Sequence, residues 1–288
     1  MKRLIIGTAV LLLSSFTLML SSQTINEAGE VFNEGVKLKD TDVNAAIIKF
    51  NDCINICEKL GDEGIGLKIN AENALPPLYY KVAMELYKEK KYIEAVKAFE
   101  EASVIAGKYS NAKLKNKADN IIPKLYAVVG NNYLKEKDFD NAMLNYNKAI
   151  ELDSNSLKGH FGKAVIYKKN GDNENTKAEL DKIIKIGPAD NKVVVKATNT
   201  AIKHFQVLGG KSIQQKKYDE GIEYLDTSLT YGETAKTYYY ISVANNAKQN
   251  WKEATEAANK ALELDTDGKM KTQINVEIEN AKKGMEAK

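Results

Sequence analysis

"NNYLKEKDFDNAMLNYNKAIELD", residues 131–153, carries a charged elbow between two apolar-periodic runs, with tyrosine, phenylalanine and alanine at set places. It is either a lone helical hairpin or one copy of a unit that builds the chain. Self-similarity at a fixed period decides between these before local propensity does. Measured from Ala142, Phe139 stands three residues before, Tyr146 four after and Ala149 seven after, while Gly130 and Tyr133 stand twelve and nine upstream.

The same spacing recurs. Ala95 has Tyr92, Phe99 and Ala102 around it, with Ala83 and Leu86 upstream, and Ala254 has Trp251, Ala258 and Ala261, with Ser242 and Asn245 upstream. Gly221 is flanked by Tyr218, Leu225 and Ser228, with Gly209 twelve before. A weaker copy centres on Thr176, with Ala164, Tyr167, Leu180 and Ile183, and Pro188 closes it. A first copy around Ala46, with Phe50 and Cys53, fits if its elbow is one residue shorter, which makes Gly35 its upstream small residue. The six anchors 46, 95, 142, 176, 221 and 254 are separated by 49, 47, 34, 45 and 33 residues.

In order, Tyr126, Val129, Gly130, Tyr133, Phe139, Ala142, Tyr146 and Ala149 resemble the tetratricopeptide repeat, a helix-turn-helix of about 34 residues with small residues where its helices cross. The resemblance implies an all-α, right-handed solenoid of about six repeats over residues 24–268, with copies near 28–58, 76–109, 123–156, 157–190, 202–235 and 235–268. Two anchor gaps have the family length, so the others hold 11 to 15 extra residues. The chain at 103–123 is expected to extend a second helix past Gly107 and form one more helix before Pro123. The stretch 189–203, with Val193, Val194 and Val195, reads as a lengthened repeat helix, with an inserted β-hairpin as the alternative. Residues 269–288, with Ile274, Val276, Ile278 and Ala281, read as a capping helix that covers the last repeat and shows a polar outer face.

Physics supports the same architecture. In the best copy Leu125, Val129 and Tyr133 recur at helical steps, and Gly130 and Ala142 allow two backbones to approach while Tyr133, Phe139 and Tyr146 fill the flanks. One hairpin cannot bury its apolar face alone, whereas stacked neighbours can.

Composition narrows the function. The chain has a formal net charge of +3, 43% hydrophobic and 28% charged residues, and Arg3 is its one arginine. A nucleic-acid binder relies on clustered basic residues and the arginine fork, so no nucleic-acid partner is expected. Residues 1–22 read as a signal peptide: Lys2 and Arg3, an uncharged stretch from Leu4 to Leu20, then Ser21 and Ser22 before a cut at Gln23. Export to the periplasm or the extracellular space follows, with envelope association through an uncleaved signal anchor as the competing outcome.

Chemistry is sparse. The two histidines, His160 and His204, read as surface or packing residues, or else as a metal or proton-transfer pair with nearby carboxylates; no HExxH pattern accompanies them. Cys53 and Cys57 stand one helical turn apart; Cys53 fills the small-residue slot and Cys57 is less constrained, and a regulatory disulfide stays open at strained geometry. DNENTKAELD, residues 172–181, reads as an acidic elbow and lacks the glycine and glutamate spacing of an EF-hand. No cofactor is implied.

In solenoids resembling this one, the first helix of each unit lines a concave groove for extended peptides or partner helices. Carried over copy by copy, that implies Tyr80, Met84, Tyr87 and Lys88, then Asn131, Leu134 and Lys135, then Phe161, Val165, Lys168 and Lys169, and finally Tyr239 and Val243. Such a groove would be aromatic with a lysine edge, suited to an apolar side chain next to a carboxylate; the plainer alternative has these lysines solvated and these aromatics packed between helices. The family's carboxylate clamp is broken here: Asn131 and Lys203 match, but Ala127, Gly162 and Val207 stand where its other polar residues belong. The expectation is a non-catalytic scaffold or adaptor in the cell envelope that holds a protein or peptide partner of unknown identity and has the capacity to self-associate. The alternative is an enzyme or metal-dependent protein built around His160 and His204.

Overall fold

The computed structural model describes residues 24–287, so the signal peptide and the uncleaved-anchor alternative at 1–22 lie outside the described residues. Among the described residues there is no strand, and no helix is long and apolar enough to cross a membrane. The chain divides into two compact units, one ending at Asp119 and one beginning at Asn120.

The first unit pairs α1 (Ile25–Leu38) with α2 (Val43–Leu60), and, after a single 3-10 turn at Gly61–Gly64, α3 (Ile65–Lys88) with α4 (Tyr92–Lys108). Its core is built on Ala46, Phe50, Cys53, Ile54, Cys57, Leu75 and Leu78, with Phe32 edge-on to Phe50 at 5.3 Å. Helix α5 (Ala112–Glu136) carries the chain from one unit into the next. The second unit continues with α6 (Phe139–Leu152), α7 (Leu157–Lys169), α8 (Asn173–Ile186), α9 (Lys192–Gln214), α10 (Tyr218–Leu229), α11 (Ala235–Ala247), α12 (Trp251–Leu264) and α13 (Lys271–Glu286). From α6 onward each helix of this unit packs on the next.

The repeat is visible in the backbone. Lys90, Lys137, Gly171, Lys216 and Gln249 have φ of 62°, 64°, 74°, 63° and 62°, and each lies five residues before its anchor at 95, 142, 176, 221 or 254. The elbow needs one left-handed residue, a conformation that costs an L-residue about 1–2 kcal/mol, and only the copy at Gly171 uses glycine for it. The first copy has no left-handed residue in its elbow, consistent with an elbow one residue shorter. Capping repeats too: the Asp138 carboxylate accepts from the Asn141 backbone N–H at 3.1 Å and its Nδ2 at 2.7 Å, and Asp172 does the same with Asn175 at 3.0 and 2.7 Å. These bonds satisfy orphan donors of the first helical turn. Ala46, Ala95, Ala142, Thr176 and Ala254 are fully buried.

The extra residues lie in the first helices. α3, α5 and α9 have 24, 25 and 23 residues, against 12 to 14 in α6, α7, α8, α10, α11 and α12. The expectation for 103–123 is corrected by this, while the lengthened helix at 189–203 is as expected. α4 stops at Lys108, and no separate helix forms before Pro123, because α5 runs through that proline. α3 likewise runs through Pro76 and Pro77. An interior proline forfeits one helical hydrogen bond, and burial of Ala71, Leu75 and Leu78 in α3 and of Ala118, Ile122 and Leu125 in α5 outweighs that loss. The valine run at 193–195 is helical, not a hairpin. At the C-terminal end Ile274 and Ala281 of α13 are buried against α12, while Val276 is 52% exposed.

Candidate functional site

The groove residues fall into separate local environments in each unit. On α3, Tyr80 is half-buried and meets Phe99 edge-on at 5.5 Å; Tyr87, 42% exposed, tilts against Tyr92 at 5.9 Å. Met84 is half-buried and Lys88 exposed. These residues recur at three- and four-residue steps, so they share a face of α3.

In the second unit, Asn131 and Leu134 are taken up by packing. Asn131 Oδ1 accepts from the Tyr146 hydroxyl at 2.8 Å, and Leu134 joins Tyr133, Phe139 and Met143 against Ala142, Tyr146 and Ile166. Lys135 is exposed. Lys169 places its ammonium 5.2 Å from the centre of the Phe139 ring. Phe161 is half-buried against the α7–α8–α9 core, and Lys196 of α9 lies over its ring at 4.7 Å. Val165 is half-buried and Lys168 exposed beside it. On α11, Tyr239 tilts against Tyr240 at 5.5 Å and burial raises its hydroxyl pKa, while Val243 is half-buried. Phe161 and Lys196 therefore bring an aromatic ring and a cation from two first helices together within a unit, with Val165 and Lys168 following on the same α7.

The histidines are buried and separately engaged. His160 Nδ1 lies 2.5 Å from Glu179 Oε2, and its Nε2 lies 3.1 Å from the Ser154 carbonyl oxygen. Both ring nitrogens therefore face oxygen atoms. Lys163 and Lys182 approach the other carboxylate oxygen at 3.5 and 3.2 Å. Burial alone would raise the Glu179 pKa; His160, Lys163 and Lys182 overcome it and hold the carboxyl down at about 2. A carboxylate so held is no general base near neutral pH. Glu179 is thus a buried centre and not part of a solvated acidic elbow, and Asp172 from the same stretch serves as a helix cap.

His204 Nε2 pairs with Asn173 Oδ1 at 3.0 Å, and its ring stands edge-on to Phe205 at 5.1 Å. Burial and the Lys168 charge lower its pKa. The two histidines share no hydrogen-bond partner, and among the described residues no group of three or more His, Cys, Asp or Glu could hold a metal ion. Cys53 and Cys57 are free thiols 3.9 Å apart and both buried, so Cys57 is as constrained as its neighbour.

Sequence reasoning missed two features. Glu179 finds its partners on the neighbouring helix, which charge patterning within α8 does not reveal. The lysines Lys192, Lys196 and Lys203 lay in a segment read only as helix lengthening, although their spacing of four and seven residues was a signal for one shared face.

Residues 130–171 match the family model described as TPR repeat. No curated protein sequence matches the chain. Among solved structures, MamA from Desulfovibrio magneticus RS-1 is 17% identical, with 67% of this chain and 97% of that one covered at a TM-score of 0.33. The TPR2AB domain of yeast Sti1, solved as a complex with pHSP90, is 17% identical over 89% of this chain and 99% of that one at 0.31. A C-terminal part of a TPR repeat-containing protein from Cytophaga hutchinsonii is 17% identical over 72% and 94% at 0.36.

Proposed function

We propose that this chain is a non-catalytic scaffold that holds peptide segments or partner proteins, and that it works in the cell envelope after export. The observation that carries the scaffold reading is the contrast between its chemical groups and its surface. The histidines, the buried glutamate and the thiols are buried and each has a partner within the fold, whereas Tyr87, Phe161, Lys168 and Lys88 on the first helices stay at least partly open to solvent. Aromatic anchors beside basic groups are the usual centre of a peptide-recognition surface. Export is supported by Lys2, Arg3 and the uncharged stretch that follows.

The test is affinity purification of the native protein from separated periplasmic and membrane fractions, with mass spectrometry of what accompanies it. A reproducible partner that is lost when Tyr80, Tyr87 and Phe161 are changed to alanine supports the reading. Recovery without any partner from every fraction counts against it. N-terminal sequencing of the same material is expected to begin at Gln23, and a cytoplasmic chain beginning at Met1 would overturn the envelope assignment.

A further inference from the structure

We infer that the outward face of the first half of α9 is a docking surface for an extended acidic peptide segment about five residues long that carries an apolar side chain. The inference rests on the scaffold reading and gives its partner a chemistry. The α9 residues from Lys192 to about Lys203 precede the repeat proper, which accounts for the length of this helix beyond the ordinary 13 or so. Val194, Ala197 and Ala201 on one side are buried in the unit's core. The other side presents Lys192, Lys196 and Lys203, with Val195, Asn199 and Thr200 among them, around an open depression of about 500 Å³ that Asp190 borders at one end.

No acidic residue stands one turn away along α9 from Lys192, Lys196 or Lys203. On four other helices a lysine is paired one turn away along its own helix, as Lys115 with Asp119, Lys177 with Asp181, Lys252 with Glu256 and Lys283 with Glu279. Here Lys192 and Lys196 stand at that same spacing as like charges, an arrangement that disfavours a helix. Among the described residues none of Lys192, Lys196 and Lys203 has a carboxylate within ion-pairing distance; Lys196 rests on the Phe161 ring. Lys168, which acts on His204 across the α7–α9 side, adds a further cation. Ligand carboxylates would supply the missing counter-charge.

Geometry sets the rest of the specificity. From Lys192 to Lys203 the helix rises about 16 Å at 1.5 Å per residue, the span of about five residues of extended chain at 3.3 Å each. An adjoining depression of about 310 Å³, lined by Ile184, Val194, Val195 and Thr198, shares Val195 and Asn199 with the first and can take an apolar side chain. A single lysine row without arginine forks or a run of stacking aromatics does not suit nucleic acid. Most of the row lies outside the family's carboxylate-clamp positions.

The experiment measures fluorescence anisotropy of a capped, labelled peptide of six glutamates around one leucine, titrated with the purified protein. Saturable binding is expected, weakening with salt, absent for the matching glutamine peptide, and weakened at least tenfold by K192Q/K196Q/K203Q. A control triple on exposed lysines elsewhere, K97Q/K113Q/K124Q, is expected to bind as the parent does. No binding, equal binding of the glutamine peptide, or equal loss in both triples overturns the inference. So does binding to vesicles with 30% phosphatidylglycerol that exceeds peptide binding and depends on the same lysines. All these substitutions are at exposed positions, and circular dichroism checks that the variants stay folded. In the partner-capture experiment, a partner retained by K192Q/K196Q/K203Q refutes the acidic-peptide assignment and leaves the scaffold reading standing. If the parent captures no partner while still binding the probe peptide, the scaffold reading is the one that fails.

Discussion

The tightest point in the repeat is the ring of Tyr146, and a single methyl group there should be measurable. Tyr146 is fully buried, and its hydroxyl donates to Asn131. A Cβ at Gly162 would stand 2.1 Å from the ring's Cζ, and a Cβ at Gly130 would stand 2.7 Å from its Cε1. With glycines on two sides and a hydrogen bond at its tip, the ring has little room to retreat. Overpacking a core typically costs about 1–3 kcal/mol, and the first of these contacts belongs at the upper end of that range. Alanine returns about 0.8–1 kcal/mol of helix propensity over glycine, so Gly162→Ala should lose about 2 kcal/mol net. For a unit of this size that is a fall in Tm of roughly 4–8 °C. Gly29, also inside a helix, has nothing within 4 Å of a built Cβ, so Gly29→Ala should show the propensity gain alone, about 0.5–1 kcal/mol of stabilisation. Urea unfolding followed by circular dichroism reads both. A double-mutant cycle with Tyr146→Leu should show favourable coupling of at least about 1 kcal/mol, as contacting residues do. If Gly162→Ala raises the midpoint as Gly29→Ala does, or if the cycle is additive, the helices do not cross on this ring.

Acid should expose the buried ion cluster. The folded-state pKa of Glu179 is depressed to about 2 from an ordinary 4.5, so its contribution is fully present above about pH 4.5 and is lost as pH falls toward 2. That shift corresponds to a contribution on the order of 3 kcal/mol; Glu179→Gln should be the less stable protein at pH 7 and should lose less than the parent between pH 5 and 3, and parallel urea midpoints across that window would contradict the assignment. Burial followed by the neighbouring thiol pushes the Cys53 pKa up to about 12, and both thiols are buried, so neither cysteine should be reached by Ellman's reagent until the protein unfolds, and prompt reaction under native conditions would show the pair to be accessible. The elbow conformation predicts opposite outcomes at equivalent positions: Gly171→Lys should cost about 1 kcal/mol, and Lys137→Gly should be neutral or stabilising by a few tenths. Two losses of equal size by urea titration would refute that equivalence.

The sequence by itself determined the repeated helix pair. Small residues at fixed places and apolar steps of three and four are short-range features, so the copies at 123–156 and 157–190 could be read without coordinates. It also showed that the common catalytic and metal motifs do not occur in it, since these are read from residue identity and spacing. Tertiary structure alone decided where the surplus residues went. A proline argues locally for a helix end, and only the burial of Leu75, Leu78, Ile122 and Leu125 keeps α3 and α5 helical through Pro76, Pro77 and Pro123. Likewise only the contacts between helices decided which polar and aromatic side chains are spoken for. Asn131 is taken by Tyr146, 15 residues away, His160 by Glu179, 19 away, and Phe161 by Lys196 from two helices further on. Periodicity tells which face of a helix is apolar, but the register between one helix and the next is set by packing, and that register left the lysines of α9 without a counter-charge.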